Sequence, residues 1–299
     1  MKVLVVGGTG MIGAHAALYL HSKGHQVTLM ARSKPTLPAL ASLAFIQGNY
    51  VEDDCSDGRL KGYDWLVFAA GADIRQVPRD GSVTEEDFYE RVNVEAIPRF
   101  FAAARDAGIK RACYIGTFYP RVVPEKAKTN AYVRSRKLAD EAIRALSTDG
   151  FAVVCLDAPF VMGHVPGMNV DYLQGLVAYA KGQLGLPIFA PQGGTNHITC
   201  TALSEAVLGA LENGEPGRAY LVGDLNLSWK AYLEKWFAAV GNPTDLEVRP
   251  DEHPLFPDII LFAGRNATVS YEPEGVEELG YSRNQVDATI AEIVKASGG

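Results

Sequence analysis

The chain has 299 residues, of which 47% are hydrophobic, 21% charged and 9% aromatic. This composition excludes a disordered or fibrous protein and is sufficient for one large α/β core or two smaller ones. With 28 Lys and Arg against 35 Asp and Glu, the formal charge is −7, which disfavours nucleic acid or an anionic membrane as the main partner and favours a small molecule. No apolar run approaches the ~20 residues of a membrane span, and residues 1–6 are too short an apolar run for a secretion signal. We therefore expect a cytoplasmic location.

The cysteines and histidines form no pattern that indicates a disulfide framework or a metal site. There are six scattered histidines and four widely separated cysteines, with no CxxC pair: Cys55, Cys113, Cys155 and Cys200. We expect reduced thiols that pack as small hydrophobic side chains, and no bound metal.

Strand and helix patterns alternate through the first half of the chain. Apolar and β-branched runs predict strands at 2–6, 25–30, 43–47, 65–70, 112–116 and 152–156. Helical periodicity predicts helices at 12–21, 84–105 and 131–146. In the second helix Thr84 is the expected N-cap, Asp87 lies near the capping-box position, and Pro98 is expected to kink the helix. The alternation is typical of an α/β protein with a doubly wound parallel sheet.

The second half of the chain has a mixed pattern and predicts a smaller α/β lid. Its predicted elements are helices at 171–181, 201–211, 228–240, 259–263 and 283–295, a strand at 219–222 and a Pro/Gly-rich link at 182–194. We expect residues 1–158 to bind a dinucleotide, with a returning segment at 195–224. The remaining residues, 159–194 and 225–299, are then the substrate-binding region.

A glycine-rich turn follows the first strand and opens the first helix. Gly7 allows a tight turn, Gly10 allows close approach of a pyrophosphate, and Gly13 allows the helix to pack on the strand. The helix N-terminus then presents its N–H groups to the anion. This context predicts a nucleotide site, to which we assign Gly7, Thr9, Gly10, Met11, Ile12 and Gly13.

The end of the second strand favours NADP over NAD. An Asp or Glu here would bind the adenosine ribose and exclude a 2′-phosphate, but the chain has Arg32, Ser33 and Lys34 instead. An arginine can bind a 2′-phosphate with two hydrogen bonds and stack on adenine. Arg32 and Ser33 are therefore assigned to the cofactor site. Further residues at strand ends are predicted to contact the dinucleotide: Asn49, Tyr50, Ala69, Ala70, Gly71 and Pro159.

Three further segments carry a family resemblance. These are Tyr114-Ile115-Gly116-Thr117 at the end of the fifth strand, Asn93-Val94 in the preceding helix, and the run from Tyr132 to Asp140. With the glycine turn, they resemble the extended short-chain dehydrogenase/reductase superfamily (the NAD-dependent epimerase/dehydratase family), most closely its dihydroflavonol-reductase and hydroxysteroid-dehydrogenase-like branches.

The resemblance implies a Rossmann fold and a set of roles. Tyr132 is implied to donate or accept a proton, and Thr117 to bond the substrate oxygen. It also implies that the C-terminal half shapes the substrate pocket and that the protein is a homodimer formed through helices 84–105 and 131–146. Asn93 either bonds a backbone carbonyl and holds a water beside the reacting centre, or is only a polar helix residue. Tyr119 is an alternative acid or a pocket wall.

The chain departs from the family at the cation beside the tyrosine. The family has a lysine four residues after the Tyr, where this chain has Arg136, and Lys137 follows in fifth place. A nearby cation favours the phenolate of a tyrosine, whose ordinary pKa is near 10. At ~100° per residue, Arg136 lies ~40° round the helix from Tyr132 and Lys137 ~140°. We therefore expect Arg136 to bias Tyr132, and the resemblance implies that the residue at this position also bonds the nicotinamide ribose. A helical bulge that brings Lys137 into place, and a Tyr132 with no catalytic role, are the alternatives.

The second half lacks obvious anchors for a sugar-nucleotide diphosphate. In nucleotide-sugar enzymes of the superfamily, an Asn follows the sixth strand and an Arg before the next helix holds the diphosphate. Neither anchor is obvious in the corresponding stretches of this chain, 157–163 and 193–198. This favours an uncharged, apolar substrate. Candidate pocket residues are Phe160, Val161, Met162, Met168, Phe189, Ile259 and Phe262. His164 and His197 are taken as structural, Asp224 as a turn residue and Asp251-Glu252-His253 as a solvated turn.

The sequence thus predicts an NADP-dependent oxidoreductase that moves a hydride between nicotinamide and a secondary alcohol or carbonyl. Two other functions stay open. One is a nucleotide-sugar epimerase or dehydratase, and the other is a dinucleotide-binding protein whose catalysis is impaired by Arg136.

Overall fold

The computed structural model describes residues 1–298. Its strands are β1 (Lys2–Val6), β2 (Gln26–Ala31), β3 (Ala44–Gln47), β4 (Trp65–Phe68), β5 (Arg111–Ile115), β6 (Ala152–Leu156), β7 (Phe160–Met162), β8 (Ala190–Pro191), β9 (Gly194–Thr199), β10 (Ala219–Tyr220), β11 (Leu225–Ser228) and β12 (Val248–Arg249). Its helices are α1 (Met11–Ser22), α2 (Glu85–Tyr89), α3 (Ala96–Asp106), α4 (Tyr119–Val122), α5 (Ala131–Arg144), α6 (Asp171–Ala180), α7 (Cys200–Glu212), α8 (Trp229–Ala239), α9 (Val276–Leu279) and α10 (Val286–Ala296).

Seven parallel strands form the main sheet, in the order β10-β6-β5-β4-β1-β2-β3. The order reverses between β1 and β4, and in such sheets ligands bind in the crevice at the carboxyl ends of the strands at that point. The predicted doubly wound parallel sheet is confirmed. Both the glycine turn after β1 and the residues after β4 lie at this crevice.

Both faces of the sheet are buried, which explains the continuous apolar strands. Val3 and Val5 of β1 pack in one core with α1 and α7, whereas Leu4 and Val6 pack in another with α3 and α5. Successive strand residues point to opposite faces, so each strand supplies side chains to both cores. The helix layers fix the ends of β1, β4 and β5 relative to one another.

The C-terminal lobe contains sheets that the sequence did not predict. β7, β9 and β11 form a three-stranded sheet, and β8 pairs with β12. These strands pack beside a third core built largely from α6, α8 and α10. In the expected returning segment, 195–224, β10 pairs at the edge of the main sheet and α7 packs on that sheet. β9, however, belongs to the three-stranded sheet. The predicted helix at 259–263 is wrong, because only a 3₁₀ turn, Asp258–Ile260, forms before an irregular loop.

The predicted helix at 84–105 is interrupted one turn before Pro98. Thr84 caps α2 as expected, accepting from the Asp87 N–H at 3.1 Å. Residues Glu90–Glu95 then form a π-helical turn before α3 begins. Pro98 cannot donate to the carbonyl four residues earlier, and its ring crowds that carbonyl, which favours a widened turn there. The kink is therefore a π turn that carries Asn93.

No helix in residues 1–298 is long and apolar enough to cross a membrane. All four cysteines are free, and three of them pack in the interior: Cys113, Cys155 and Cys200.

Candidate active site

The glycine turn forms a cradle with one open side. A Cβ at Gly13 would lie 2.3 Å from the Gly7 carbonyl oxygen, and one at Gly7, where φ is +78°, would lie 2.8 Å from the Ala70 nitrogen. At Gly10, by contrast, the nearest atom is the Gly7 oxygen at 3.6 Å, an ordinary contact, and Gly10 is exposed, so this side of the turn is open to solvent. Gly10 is the N-cap of α1 and has no side-chain cap. Free N–H groups at a helix N-terminus beside such a space fit a dinucleotide pyrophosphate.

Arg32 lies at the end of β2 with its head group free. Its side chain is exposed, and it makes no ion pair with another residue of the described chain. Its backbone carbonyl accepts from Gln47 Nε2 at 3.0 Å, which fixes the strand end next to β3. Ser33 and Lys34 are also exposed. The guanidinium can therefore turn toward an adenosine phosphate without breaking an existing contact.

Asn49 and Tyr50 follow β3 and have different surroundings. Asn49 Oδ1 accepts from the Val51 N–H at 3.2 Å, so part of its side chain caps its own turn. Tyr50 is half-buried, with its ring edge-on to Phe68 at 5.1 Å. Burial raises the pKa of Tyr50, which keeps its hydroxyl neutral.

Tyr132 presents a free hydroxyl from the first turn of α5. Asn130 caps this helix, its Oδ1 accepting from the Val133 N–H at 2.9 Å. The Tyr132 ring stacks on Phe262, with centroids 4.7 Å apart, and meets the edge of Tyr89 at 5.6 Å. The side chain is 7% exposed, and its hydroxyl makes no hydrogen bond within residues 1–298.

Thr117 lies two residues beyond the end of β5. It is 8% exposed, and its hydroxyl likewise has no hydrogen-bond partner among residues 1–298. The next residue, Phe118, is fixed by a backbone hydrogen bond to the Ala158 carbonyl at 3.2 Å and packs in the same cluster as Tyr132. Thr117 thus adjoins the cluster that contains Tyr132, and the hydroxyl of each residue is unpaired in the described chain.

Arg136 is the cation beside Tyr132. Its Cζ lies 5.9 Å from the centroid of the Tyr132 ring and 5.4 Å from that of Tyr114. Nη2 donates to the Ile115 carbonyl at 2.9 Å, while Nε is buried without a partner in the described chain. Arg136 is 8% exposed and forms no ion pair with any carboxylate of residues 1–298. Burial raises the pKa of Tyr114, so this neighbour stays neutral and supplies no counter-charge.

Lys137 points away from this centre. Its Nζ lies 3.3 Å from Glu141 Oε1 on the surface of α5, and the helix runs without a bulge from Ala131 to Arg144. The alternative in which a bulge brings Lys137 to Tyr132 is therefore wrong. The four-residue spacing decides which cation faces the phenol.

Asn93 connects the loop after β4 to α5. It is fully buried on the π turn, where Oδ1 accepts from the Ala72 N–H and Nδ2 donates to the Ala72 carbonyl, both at 3.2 Å. Nδ2 also donates to Ser135 Oγ at 3.1 Å, and that hydroxyl donates to the Tyr132 carbonyl at 2.9 Å. Both amide protons are used, so Asn93 holds the backbone near Gly71 against the helix that carries Tyr132.

Tyr132 belongs to a cluster of aromatic side chains. The cluster also contains Phe118, Tyr119, Phe160, Phe262 and Tyr271. The Tyr119 hydroxyl donates to the Ile260 carbonyl at 3.2 Å, and burial raises its pKa, so this residue acts as a wall that holds the 258–266 loop.

Only some of the predicted pocket residues lie here. Phe160 and Phe262 join the cluster, whereas Met162 and Phe189 are buried elsewhere and Ile259 is 59% exposed. Val161 and Met168 pack against the main core beside Met11 and Ile12. Tyr89 and Tyr114, which were not among the predicted site residues, do contact the centre. Tyr114 could have been predicted from its place near the end of the fifth strand. No feature of the sequence indicated that Tyr89 would contact the site.

The buried histidines are structural. His197 stacks on Tyr232 with centroids 4.2 Å apart, neither ring nitrogen has a hydrogen-bond partner within residues 1–298, and burial lowers its pKa to about 3. His253 is fully buried, with Nε2 3.1 Å from the Tyr179 hydroxyl, so the predicted solvated turn is wrong at this residue. Asp224 is also buried and accepts from the Gln285 N–H at 2.9 Å, just before α10, so it does more than form a turn.

Comparison with known proteins assigns the fold and these residues to a family. A model of the NAD dependent epimerase/dehydratase family matches residues 3–223, which include the glycine turn, Thr117, Tyr132 and Arg136. The chain belongs to this family. Members of the epimerase/dehydratase family are NAD(P)-dependent enzymes of the extended short-chain dehydrogenase/reductase type, as the resemblance implied.

The relatives include proteins named as dehydrogenase, reductase and epimerase. The 3 beta-hydroxysteroid dehydrogenase/Delta 5-->4-isomerase of Mycobacterium tuberculosis is 32% identical over 116 residues, 38% of this chain but only 30% of that protein. The 2-alkyl-3-oxoalkanoate reductase of Stenotrophomonas maltophilia is 27% identical, covering 81% of this chain and 77% of the reductase. The solved UDP-glucose 4-epimerase of Bifidobacterium longum, in complex with NAD+ and UDP, superposes with a TM-score of 0.75 at 15% identity, covering 100% of this chain and 98% of that one.

Proposed function

We propose that this member of the epimerase/dehydratase family is an NADP-dependent oxidoreductase. It moves a hydride between nicotinamide and a secondary alcohol or carbonyl of a small, uncharged and apolar substrate. The observation that carries the proposal is the Tyr132 ring, whose hydroxyl is unpaired in the described chain, 5.9 Å from Cζ of the buried Arg136, which has no carboxylate partner there.

The bound nicotinamide supplies the hydride-transfer chemistry, and the chain's own residues handle the oxygen and the proton. Tyr132 donates a proton to the substrate oxygen during reduction and accepts it during oxidation. Thr117 orients that oxygen through its unpaired hydroxyl. Arg136 places a positive charge against the ring of Tyr132 and can bond the ribose hydroxyls, but a guanidinium stays protonated and therefore cannot relay the proton.

The glycine cradle and the residues after β4 are proposed to hold the dinucleotide. Gly7, Gly10 and Gly13 form the turn at the N-terminus of α1, and the backbone of Ala69 and Ala70 lies against Gly7. These residues and Gly71 are proposed to line the dinucleotide. The free guanidinium of Arg32, with no acidic residue beside it at the end of β2, supports NADP as the cofactor. Ser33, Asn49, Tyr50 and Pro159 are proposed to contact the cofactor from neighbouring strand ends.

The aromatic cluster supports an apolar substrate. Phe262 stacks on Tyr132 and Phe160 meets the ring of Phe118 edge-on, and an apolar lining of this kind favours hydrophobic ligands. We propose that residues 159–194 and 225–298 contribute the substrate side of the cleft, while 1–158 and the segment around α7 and β10 hold the cofactor. A cytoplasmic homodimer that pairs through α3 and α5 completes the proposal.

The test is a turnover assay with a mixed panel of aldehydes and apolar ketones, read from the absorbance of the reduced nicotinamide. Turnover with NADPH in preference to NADH is the expected result. Copurifying NAD with activity on UDP- or dTDP-sugars would instead support an epimerase or dehydratase. Tight cofactor binding with no turnover on either panel would support a non-catalytic dinucleotide-binding protein.

A further inference from the structure

Gly71 and Arg136 are in direct contact at the centre of the site. A Cβ at Gly71 would lie 2.8 Å from Nη1 of Arg136, 3.4 Å from Cζ and 3.7 Å from Nη2. The backbone of Gly71 does not have the positive φ that would itself require glycine. Glycine is therefore needed at position 71 because a side chain there would overlap the guanidinium of Arg136.

The guanidinium has little freedom to move if that space is filled. Arg136 lies between the rings of Tyr114 and Tyr132, and Nη2 is bonded to the Ile115 carbonyl. On the other side, Asn93 fixes the backbone of Ala72, the residue next to Gly71. A methyl group at position 71 would therefore push the guanidinium rather than the loop, because the loop is held on both polar groups of Ala72.

We propose that Gly71 is a positioning residue for Arg136, because the missing side chain at position 71 leaves the space that the guanidinium occupies beside Tyr132. The planar guanidinium is wider than an ammonium group and needs this space. The two residues then act as a pair, so a side chain at position 71 should be more harmful with arginine at position 136 than with lysine. This inference rests on the proposed function for its catalytic meaning.

A double-mutant cycle tests the pair: wild type, Gly71→Ala, Arg136→Lys and the combined variant. The readout is the phenolate absorbance of Tyr132 as pH is raised, taken as the difference between each protein and its Tyr132→Phe counterpart, without cofactor. We expect Gly71→Ala to move the phenolate signal to higher pH when Arg136 is present and to leave it unmoved in the Arg136→Lys background. Gly150→Ala is the matched control, since a Cβ there meets no atom within 4 Å.

Activity provides the second readout. A displacement of about 1 Å at a catalytic group can cost on the order of 100-fold in rate. The fall in kcat/KM caused by Gly71→Ala should therefore be about 10- to 100-fold larger with arginine at position 136 than with lysine. An equal effect of Gly71→Ala in both backgrounds, or no effect on the phenolate signal in either, overturns the inference. A phenolate signal that depends on Gly71 only in the arginine background, in a wild-type protein that reduces no carbonyl, would refute the proposed function but support the pairing of Gly71 with Arg136.

Discussion

The Cζ of Arg136 lies 5.9 Å from the ring centroid of Tyr132, within the protein interior and without a carboxylate partner in residues 1–298. A buried, unpaired cation is costly unless something compensates for it. The faces of Tyr114 and Tyr132 provide part of that compensation as cation–π contacts. Negative charge on the Tyr132 oxygen would provide more, and this is the physical reason to place the acid/base chemistry there.

The variants Arg136→Met and Arg136→Lys distinguish the effect of the positive charge at position 136 from the effect of the guanidinium shape. Met keeps much of the packing volume but removes the cation, so we expect kcat to fall by about 100-fold and the pH–rate profile to move to higher pH, since general acid–base catalysis is worth about 100- to 10,000-fold. Lys keeps the charge and should retain activity within about tenfold of wild type. Steady-state kinetics across pH check this. An equal fall in kcat in both variants would show that catalysis does not depend on the positive charge at position 136.

Arg32→Gln should reduce the preference for NADPH. A hydrogen bond to a charged group is worth about 1.5–3 kcal/mol, so KM for NADPH should rise by about 10- to 100-fold while KM for NADH changes little. Lys34→Gln, two residues further on and also exposed, is the matched control for loss of positive charge in the same segment. If both variants weaken both cofactors equally, Arg32 does not select the 2′-phosphate.

Asn93→Leu should destabilise the fold because it leaves both polar groups of Ala72 unpaired. Each unsatisfied buried group costs about 1–3 kcal/mol, so the free energy of unfolding should fall by several kcal/mol, measured by urea denaturation. Asn93→Asp keeps an acceptor for the Ala72 N–H but no donor for its carbonyl or for Ser135. A Leu variant as stable as wild type would contradict the role of Asn93 in holding this loop.

His197 should make the protein less stable in mild acid. Burial lowers its pKa from 6.5 to about 3, so between these values the unfolded chain binds a proton that the folded chain does not. The free energy of unfolding therefore falls as pH drops below about 6.5, with a slope near 1.4 kcal/mol per pH unit for one such group. His253, whose pKa burial lowers to about 4, acts in the same direction. In His197→Phe the loss between pH 7 and pH 4.5 should be smaller by about 2 kcal/mol. An unchanged loss in this variant would exclude His197 as a source.

Local patterns were sufficient to predict the Rossmann half of the molecule. The strand, glycine turn and helix around Gly7 depend on residues within a short window, and so does the choice of Arg136 over Lys137, which follows from helix geometry alone. The kink in the helix at 84–105 was also predicted, but its form was not. Pro98 favours the widened turn at Glu90–Glu95, but the contacts that Asn93 of this turn makes with α5 and the loop after β4 depend on the folded structure.

The C-terminal lobe depends on long-range pairing that a single sequence does not display. β9 is buried at every residue although it consists of Gly, Thr, Asn, His and Ile, so it has no apolar alternation to detect. Its burial follows from pairing with β7 and β11. Asp224 and Gln285 are likewise 61 residues apart, and their hydrogen bond depends on the folded lobe. The same limit applies to Tyr89, which reaches Tyr132 only through the packing of α2 on α5.

The most direct test compares wild type with Tyr132→Phe in NADPH-dependent reduction of the carbonyl panel, together with NADPH binding by fluorescence. Removing one hydroxyl deletes the proton donor but keeps the ring that stacks on Phe262. We predict that turnover falls by at least about 100-fold while NADPH affinity stays within about threefold of wild type. Turnover in Tyr132→Phe that equals wild type would contradict the assignment of Tyr132 as the group that moves the proton.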